Sequence, residues 1–330
     1  MLPAVSIQSV RCVYRDDEHH AFTDLCRFGG WLYLAFRSCP AGHGISAKAR
    51  IRILRSRDGR DWSEVALFGV PDRDTRDPHL LVFRDRLFVY TGTWLCPEGW
   101  TAFDINDHLG YAAWTANGTD WVGPRPLEGT YGHYIWRAAA HGDRAYLCGR
   151  RKHAFNLARR GEGGYDTEAA MLESEDGLVW RYRGLFNDTW GDETAFVFSP
   201  DGTVTAVGRR LENRSAVVLR AAPPYDSWER RELDRHVGGP MLVEWQGRLL
   251  VGGRKALAAP VTALYWLVDG QLHEIAELPS GGDNSYPGFV SMGPDVGLLS
   301  YYSSHESRNG RPSTAIYLAD LRLDSAGVGK

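Results

Sequence analysis

The sequence predicts an all-β protein, a six-bladed β-propeller whose last blade is closed by the N-terminal strand. Three observations carry this expectation: a turn repeated at equal spacing, a two-strand phrase that recurs six times, and one spare strand at the start of the chain. The turn is the string [ST]-x-[DN]-G-x-x-W, found from Ser56 to Trp62, Thr115 to Trp121 and Ser174 to Trp180, with an offset of 59 residues each time. In such a turn the Asp or Asn side chain satisfies backbone N–H groups, the Gly supplies a positive φ, and the Trp folds back over the hairpin. Equal spacing of this kind marks a repeat architecture.

The two-strand phrase runs through residues 24–37, 77–92, 136–151, 193–210, 239–254 and 285–302, each an apolar strand, a short polar or Gly-bearing connection and a second strand. A further strand pair follows each phrase, except the last, where only STAIYLADLRL (313–323) remains. The missing fourth strand is supplied by VSIQSVRCVY (5–14), so the expectation is a single domain spanning 1–330.

Composition agrees with a packed globular chain and removes several function classes. The 330 residues are 43% apolar and 12% aromatic, with 37 Gly, which excludes low-complexity disorder. Basic and acidic residues number 38 and 41, so no global field favours nucleic acid or an acidic membrane surface, and neither is expected as a partner. Only four of the basic residues are Lys, a bias that fits genome composition and, locally, sites built for bidentate carboxylate recognition. The start of the chain lacks a basic leader with an apolar core, and no run approaches the roughly 18 apolar residues of a membrane span. A cytoplasmic location is therefore expected, or an exported one if a leader has been removed. Five Cys without CxxC, together with the absence of HExxH and HxH, give no expectation of a disulfide, a metal site or a cofactor.

In a propeller the innermost strand of each blade lines the central channel, and the loops at its start and after the second strand share one face. That face collects titratable groups. Blade 1 brings His19, His20, Asp24, Arg37 and His43, and blade 2 brings Arg76, Asp77, His79 and Trp94. Blade 3 brings His133, Trp136, Arg137, Arg150 and His153, and blade 4 brings Asp192, Glu193, Arg209 and Arg210. Arg254, Asp283, Tyr286, Tyr302 and His305 follow from blades 5 and 6. Seven of the eleven His fall here, while the opposite face offers ordinary turn residues, so a site is expected at this mouth.

The repeated turns, the six-blade phrase and the order of these mouth residues resemble the sialidase (neuraminidase) superfamily, in an Asp-box branch, over nearly the whole chain. The resemblance implies glycoside hydrolysis with three arginines on the substrate carboxylate, a Tyr nucleophile assisted by a Glu, and an Asp as acid/base. Glu193 matches the family Glu, Arg209 or Arg210 the second Arg, Arg254 the third, and Tyr286 the nucleophile. The first Arg is absent, because His19-His20 stands where an Arg-Ile-Pro triplet is expected, and His43 stands nearest the acid/base position. Arg37 is the candidate to replace the lost guanidinium.

The implied chemistry is an exo-acting hydrolase on an anionic or hydroxyl-rich terminal sugar. Arg37, Arg76, Arg137, Arg150, Arg209, Arg210 and Arg254 would grip the sugar together with His20, His79, His153, His305, Asp283 and Tyr302. Tyr286, its phenol acidified by nearby Arg, would attack the anomeric carbon after Glu193 takes its proton. His43, Asp24 or Asp77 would protonate the leaving oxygen, and Trp94 and Trp136 would stack on sugar faces. Two alternatives use the same mouth: a lyase on a uronate-containing glycoside, with a His or Tyr base and Arg neutralising the enolate-like charge, and a non-catalytic glycan-binding propeller.

Overall fold

The computed structural model describes residues 2–255, 258–308 and 310–324. Six four-stranded antiparallel sheets form the blades of a ring. Blade 1 contains strands His19–Phe28, Trp31–Cys39, Arg50–Ser56 and Ser63–Phe68, and blade 2 contains Arg73–Phe83, Arg86–Leu95, Tyr111–Thr115 and Val122–Pro126. Blade 3 runs through Tyr134–His141, Arg144–Lys152, Thr167–Ser174 and Arg181–Asn187, and blade 4 through Gly191–Phe198, Val204–Arg210, Val217–Ala221 and Glu229–Glu232. Blade 5 contains Gly238–Trp245, Arg248–Arg254, Thr262–Val268 and Gln271–Glu277. Blade 6 contains Asn284–Ser291, Val296–Ser303 and Ala315–Leu323, and its outermost strand is Val5–Tyr14, paired antiparallel with Ala315–Leu323. The N-terminal strand thus closes the ring, as the missing fourth strand of the last repeat required.

Burial falls from the channel outward because each inner strand is covered by neighbouring blades on both faces. Trp31–Cys39 is buried at every position after the first, whereas Glu229–Glu232 is exposed throughout. Apolar layers fill the wedges between blades: Tyr33, Ile51 and Ile53 of blade 1 meet Leu80, Leu87 and Val89 of blade 2, and Phe88 and Tyr90 meet Leu147 and Leu172 of blade 3. All five Cys are unpaired.

The three repeated turns connect the third and fourth strands of blades 1, 2 and 3. In each, the Ser or Thr hydroxyl accepts from the Gly N–H at 2.9 Å, and the Asp or Asn Oδ1 accepts from the two N–H groups that follow. Every one of these turns is also tied to the preceding blade. Arg11 donates to the Gly59 carbonyl, Tyr33 to that of Gly118 and Tyr90 to that of Gly177.

One irregularity repeats in all six blades and positions the site. The pairing of each inner strand with its neighbour slips at the same level: between Ala21 and Asp24, Arg76 and His79, Trp136 and Ala138, Gly191 and Thr194, Gly238 and Met241, and Ser285 and Gly288. A β-bulge leaves its extra residue out of the ladder and re-aims the side chain. In blades 2, 5 and 6 the bulge is an X-Pro step (Asp77-Pro78, Gly239-Pro240, Tyr286-Pro287), where the missing proline N–H removes one ladder bond. Phe22, Asp77, Gly239 and Tyr286 all have φ between 53° and 60° there.

Candidate active site at the channel mouth

The bulges bring Phe22, Asp77, Glu193, Gly239 and Tyr286 from five blades to one end of the channel. The Tyr286 hydroxyl donates to Glu193 Oε1 at 2.5 Å, and Glu193 Oε2 accepts from the Gly239 N–H and from Arg209 Nη1, both at 3.0 Å. Both side chains are buried, and the Tyr286 ring is caged by Phe22, Trp136 and Tyr302 at 4.8, 5.1 and 5.8 Å. Gly239 has no substitute here. Its φ is +58°, and an added Cβ would stand 2.5 Å from the Tyr286 ring.

Burial opposes the ionisation of Glu193, but Arg209, the Tyr286 hydroxyl and Arg150 together hold its carboxyl well below the usual range. Burial and the Glu193 charge push the Tyr286 phenol far above its ordinary value, with Arg209 only partly offsetting them. This corrects the expected acidified phenol: in a dry aromatic cage desolvation outweighs the nearby guanidinium. At neutral pH the pair is therefore a phenol donating to a carboxylate.

Asp77 sits in the opposite protonation state. Burial pushes its carboxyl up to about 8 against the opposing effect of Arg76, and the Glu193 charge raises it further. Its Oδ2 accepts from the Tyr134 hydroxyl, while its Oδ1 is buried without a partner. The site thus holds two carboxyl groups with separated proton affinities, one ionised and one neutral.

The arginines are more committed than the sequence suggested. Arg37 is fully buried, pairs with Asp74, and donates to the carbonyls of Gly42 and Gly44, so it cannot replace a substrate-facing guanidinium. Arg76 pairs with the other oxygen of Asp74 and reaches the carbonyls of His43 and Gly44. Arg150 and Arg209 share Asp192, at 2.5 and 3.5 Å. Arg254 bonds only the Asn284 carbonyl, at 3.2 Å, and among the described residues makes no ion pair.

Arg137 and Asp24, expected to grip substrate and to donate a proton, instead plug the channel. Arg137 Nη1 lies 2.9 Å from Asp24 Oδ1, Nη2 donates to the Pro287 carbonyl at 2.6 Å, and Nε to the Pro240 carbonyl. Asp24 Oδ2 accepts the Leu80 N–H. Five blades are joined at this point, and Asp24 stays ionised through Arg137 and His79 despite its burial.

Other expected contacts fall outside the mouth. Trp136 is fully buried beneath Tyr286 and supports that ring rather than a sugar. His79 is buried against Trp136, and its burial pushes it down to about 4. Adjacent residues on a strand point to opposite faces, and here His20 turns into blade 1, bonded to Ser38 and Asp16, while His19 faces the mouth. His153 pairs with Glu168, Arg210 with Glu232, and His305 packs on Tyr317. Trp94 stacks edge-on to His108 at 4.0 Å, beside Tyr134.

His19, His43, Asp283 and Tyr302 form a second group next to Tyr286. Asp283 Oδ2 lies 2.8 Å from His19 Nε2 and 2.6 Å from His43 Nδ1, and Oδ1 accepts from the Tyr302 hydroxyl at 2.9 Å. Burial opposes ionisation of Asp283, but the two imidazoles hold its carboxyl well below the usual range. His19, His43 and Asp283 are the residues here that could hold a metal ion. The sequence reading missed His236, which precedes the fifth inner strand. Its Nδ1 lies 3.2 Å from the Arg214 carbonyl, its Nε2 is buried without a partner, and burial keeps it neutral. Its place just ahead of a predicted inner strand was the available signal.

The fold is a sialidase-like six-bladed propeller. Among solved structures, the chain is similar to a protein of unknown function from Dyadobacter fermentans DSM 18053, with 19% identity, a TM-score of 0.82, and coverage of 98% of this chain and all of that one. It is also similar to the Trypanosoma rangeli sialidase in complex with sialic acid (13% identity, TM-score 0.66) and to the Hadza microbial sialidase Hz136 (13% identity, TM-score 0.64). Those alignments cover 98% and 92% of this chain but only 59% and 66% of the sialidases. No protein-family model matches the chain, and neither does any curated protein.

Proposed function

We propose that the protein is an exo-acting glycoside hydrolase of sialidase-like type that acts on an anionic or hydroxyl-rich terminal sugar. The observation that carries this is the 2.5 Å hydrogen bond from Tyr286 to an ionised, otherwise saturated Glu193. As the phenol oxygen attacks the anomeric carbon, its proton passes to Glu193 Oε1. The C–O bond to the aglycone breaks, and a neutral Asp77 donates its proton to the departing oxygen. Water then cleaves the glycosyl–tyrosine bond, Asp77 now acting as base and Glu193 returning the proton to the phenolate. Arg254, the mouth arginine without a carboxylate partner among the described residues, takes the anionic or hydroxyl substituent.

Incubation with glycan libraries tests the reaction class. A new reducing end without an unsaturated product is the expected result, and the ultraviolet absorbance of an unsaturated uronate would overturn it in favour of a lyase. Glycan binding without turnover would favour a binding module. Tyr286→Phe and Glu193→Gln should each cut turnover by about a thousandfold or more while the fold persists. Near-normal rates in both would remove the Tyr/Glu assignment.

A further inference from the structure

His19 opens the first inner strand, His43 lies on the loop after the second strand of the same blade, and Asp283 directly precedes the sixth inner strand. These three stretches of chain are far apart in sequence, yet one nitrogen of each imidazole and one carboxylate oxygen converge so that all three atoms lie within 4.8 Å of one another. Both imidazoles meet the same oxygen, Asp283 Oδ2, with their rings edge to face at 5.4 Å.

The surroundings position Asp283 and the His43 loop, while His19 Nδ1 is buried without a partner. The Tyr302 hydroxyl occupies Asp283 Oδ1, which leaves Oδ2 aimed into the group, and Ser304 Oγ donates to the Asp283 carbonyl at 3.2 Å. The His43 loop is held by its backbone: Arg37 grips the carbonyls of Gly42 and Gly44, and Arg76 those of His43 and Gly44. Two buried guanidiniums anchored on Asp74 thus fix a loop whose only imidazole points at Asp283. Fixing ligands from outside is what a metal centre requires of its second shell.

The group is also open. The His19 side chain is 11% exposed, that of Asp283 26% and that of His43 53%. Three protein ligands on one side and solvent on the other correspond to a site with free coordination positions, unlike the closed four-ligand sets of structural zinc. Two imidazoles with one carboxylate suit zinc, cobalt or iron(II) rather than magnesium or calcium, which favour all-oxygen sets.

We propose that His19 Nε2, His43 Nδ1 and Asp283 Oδ2 form a three-ligand site for one divalent transition-metal ion of the zinc class, with its open positions facing the channel mouth beside Tyr302. The site stands independently of the glycosidase reading, since it rests on the convergence of the three ligand atoms and not on Tyr286 or Glu193. A cation there would offer a binding point for a hydroxyl or carboxylate oxygen of whatever occupies the mouth.

The test is direct binding. The full chain is stripped with chelator and titrated with Zn²⁺ by calorimetry and with Co²⁺ by visible absorption, and one equivalent with a micromolar or tighter Kd is expected. His19→Ala, His43→Ala and Asp283→Asn should each weaken binding by about a hundredfold, and Tyr302→Phe by about tenfold. The exposed control His273→Ala should leave it unchanged. His43→Ala removes a half-exposed loop side chain, so its folding is not at stake, and circular dichroism checks this. The proposal is overturned if the wild-type chain binds no metal, or if binding survives His43→Ala and Asp283→Asn undiminished, which would leave the group as an Asp accepting two imidazole N–H bonds.

Discussion

Asp77→Asn separates the acid role from simple burial, because it replaces a neutral carboxyl by a neutral isostere. An ordinary Asp side chain titrates near 3.8, whereas Asp77 in the folded chain is pushed up to about 8. Between those values the folded state holds a proton that the unfolded chain has released. The difference in bound protons, unfolded minus folded, is negative, so stability falls with rising pH by about 1.4 kcal/mol per pH unit from this group alone. The contribution is full below pH ~4 and is lost progressively up to pH ~8, and the accumulated cost at pH 7 is about 4 kcal/mol. Asn carries no such cost. The variant should match the wild type in urea midpoint near pH 4 and exceed it increasingly towards pH 8, and titrating groups distant from Asp77 cancel in the comparison. In the activity assay the wild-type rate should fall above pH ~8 as Asp77 ionises, and the variant should lose turnover at all pH values while gaining stability. A midpoint difference that stays flat from pH 4 to pH 8 would refute the buried neutral carboxyl, and an alkaline limb that survives in the variant would refute its role as acid.

Two further substitutions probe the scaffold of the site. Arg137→Leu leaves the Asp24 carboxylate and the carbonyls of Pro240 and Pro287 buried without their partner, and should cost about 3–5 kcal/mol in urea unfolding. The double variant Arg137→Leu/Asp24→Leu should recover much of that loss, and a single variant as stable as the wild type would show that the plug does not join the blades. Gly239→Ala combines a disfavoured positive φ with a Cβ pressed into the Tyr286 ring, so it should destabilise by about 1–3 kcal/mol and depress turnover more than substrate affinity. An unchanged kcat would show that the Tyr286 ring is not held in place by this contact.

The ring was legible because its evidence is local. Equal spacing of Ser56, Thr115 and Ser174 needs no knowledge of contacts, and the spare strand at residues 5–14 follows from the deficit in the last repeat. The Tyr286 and Glu193 pairing was also within reach, since both open inner strands. What the sequence hides is register. His19 and His20 are neighbours, and a one-residue difference in which of them faces the channel decides whether the mouth gains an imidazole or the blade interior does. The bulges have the same effect on Asp77, Glu193 and Tyr286: each is re-aimed by a slip in pairing that alternation alone does not reveal. Only the X-Pro steps at 78, 240 and 287 betray it in three blades, and nothing in the composition of the other three does.

The arginines show why residue type alone overstates anion binding. Five guanidiniums (Arg37, Arg76, Arg150, Arg209, Arg254) reach this end of the channel, and four carboxyl groups (Asp74, Asp192, Glu193, Asp283) accompany them. A guanidinium saturated by a buried carboxylate has little left to offer a ligand, and separating the two would expose an unpaired charge at a cost of several kcal/mol. Arg37 and Arg76 are therefore better understood through what they hold, the carbonyls of the His43 loop, than through any substrate group. Arg150 and Arg209 pair with Asp192 and, together with the Tyr286 hydroxyl, keep Glu193 ionised. On the proposed glycosidase reading, Arg254 is the guanidinium among the described residues left for a negative substituent. Without a cation at the His19, His43 and Asp283 group, the anionic preference of this mouth should therefore be modest and its selectivity set by the hydroxyl pattern of the sugar.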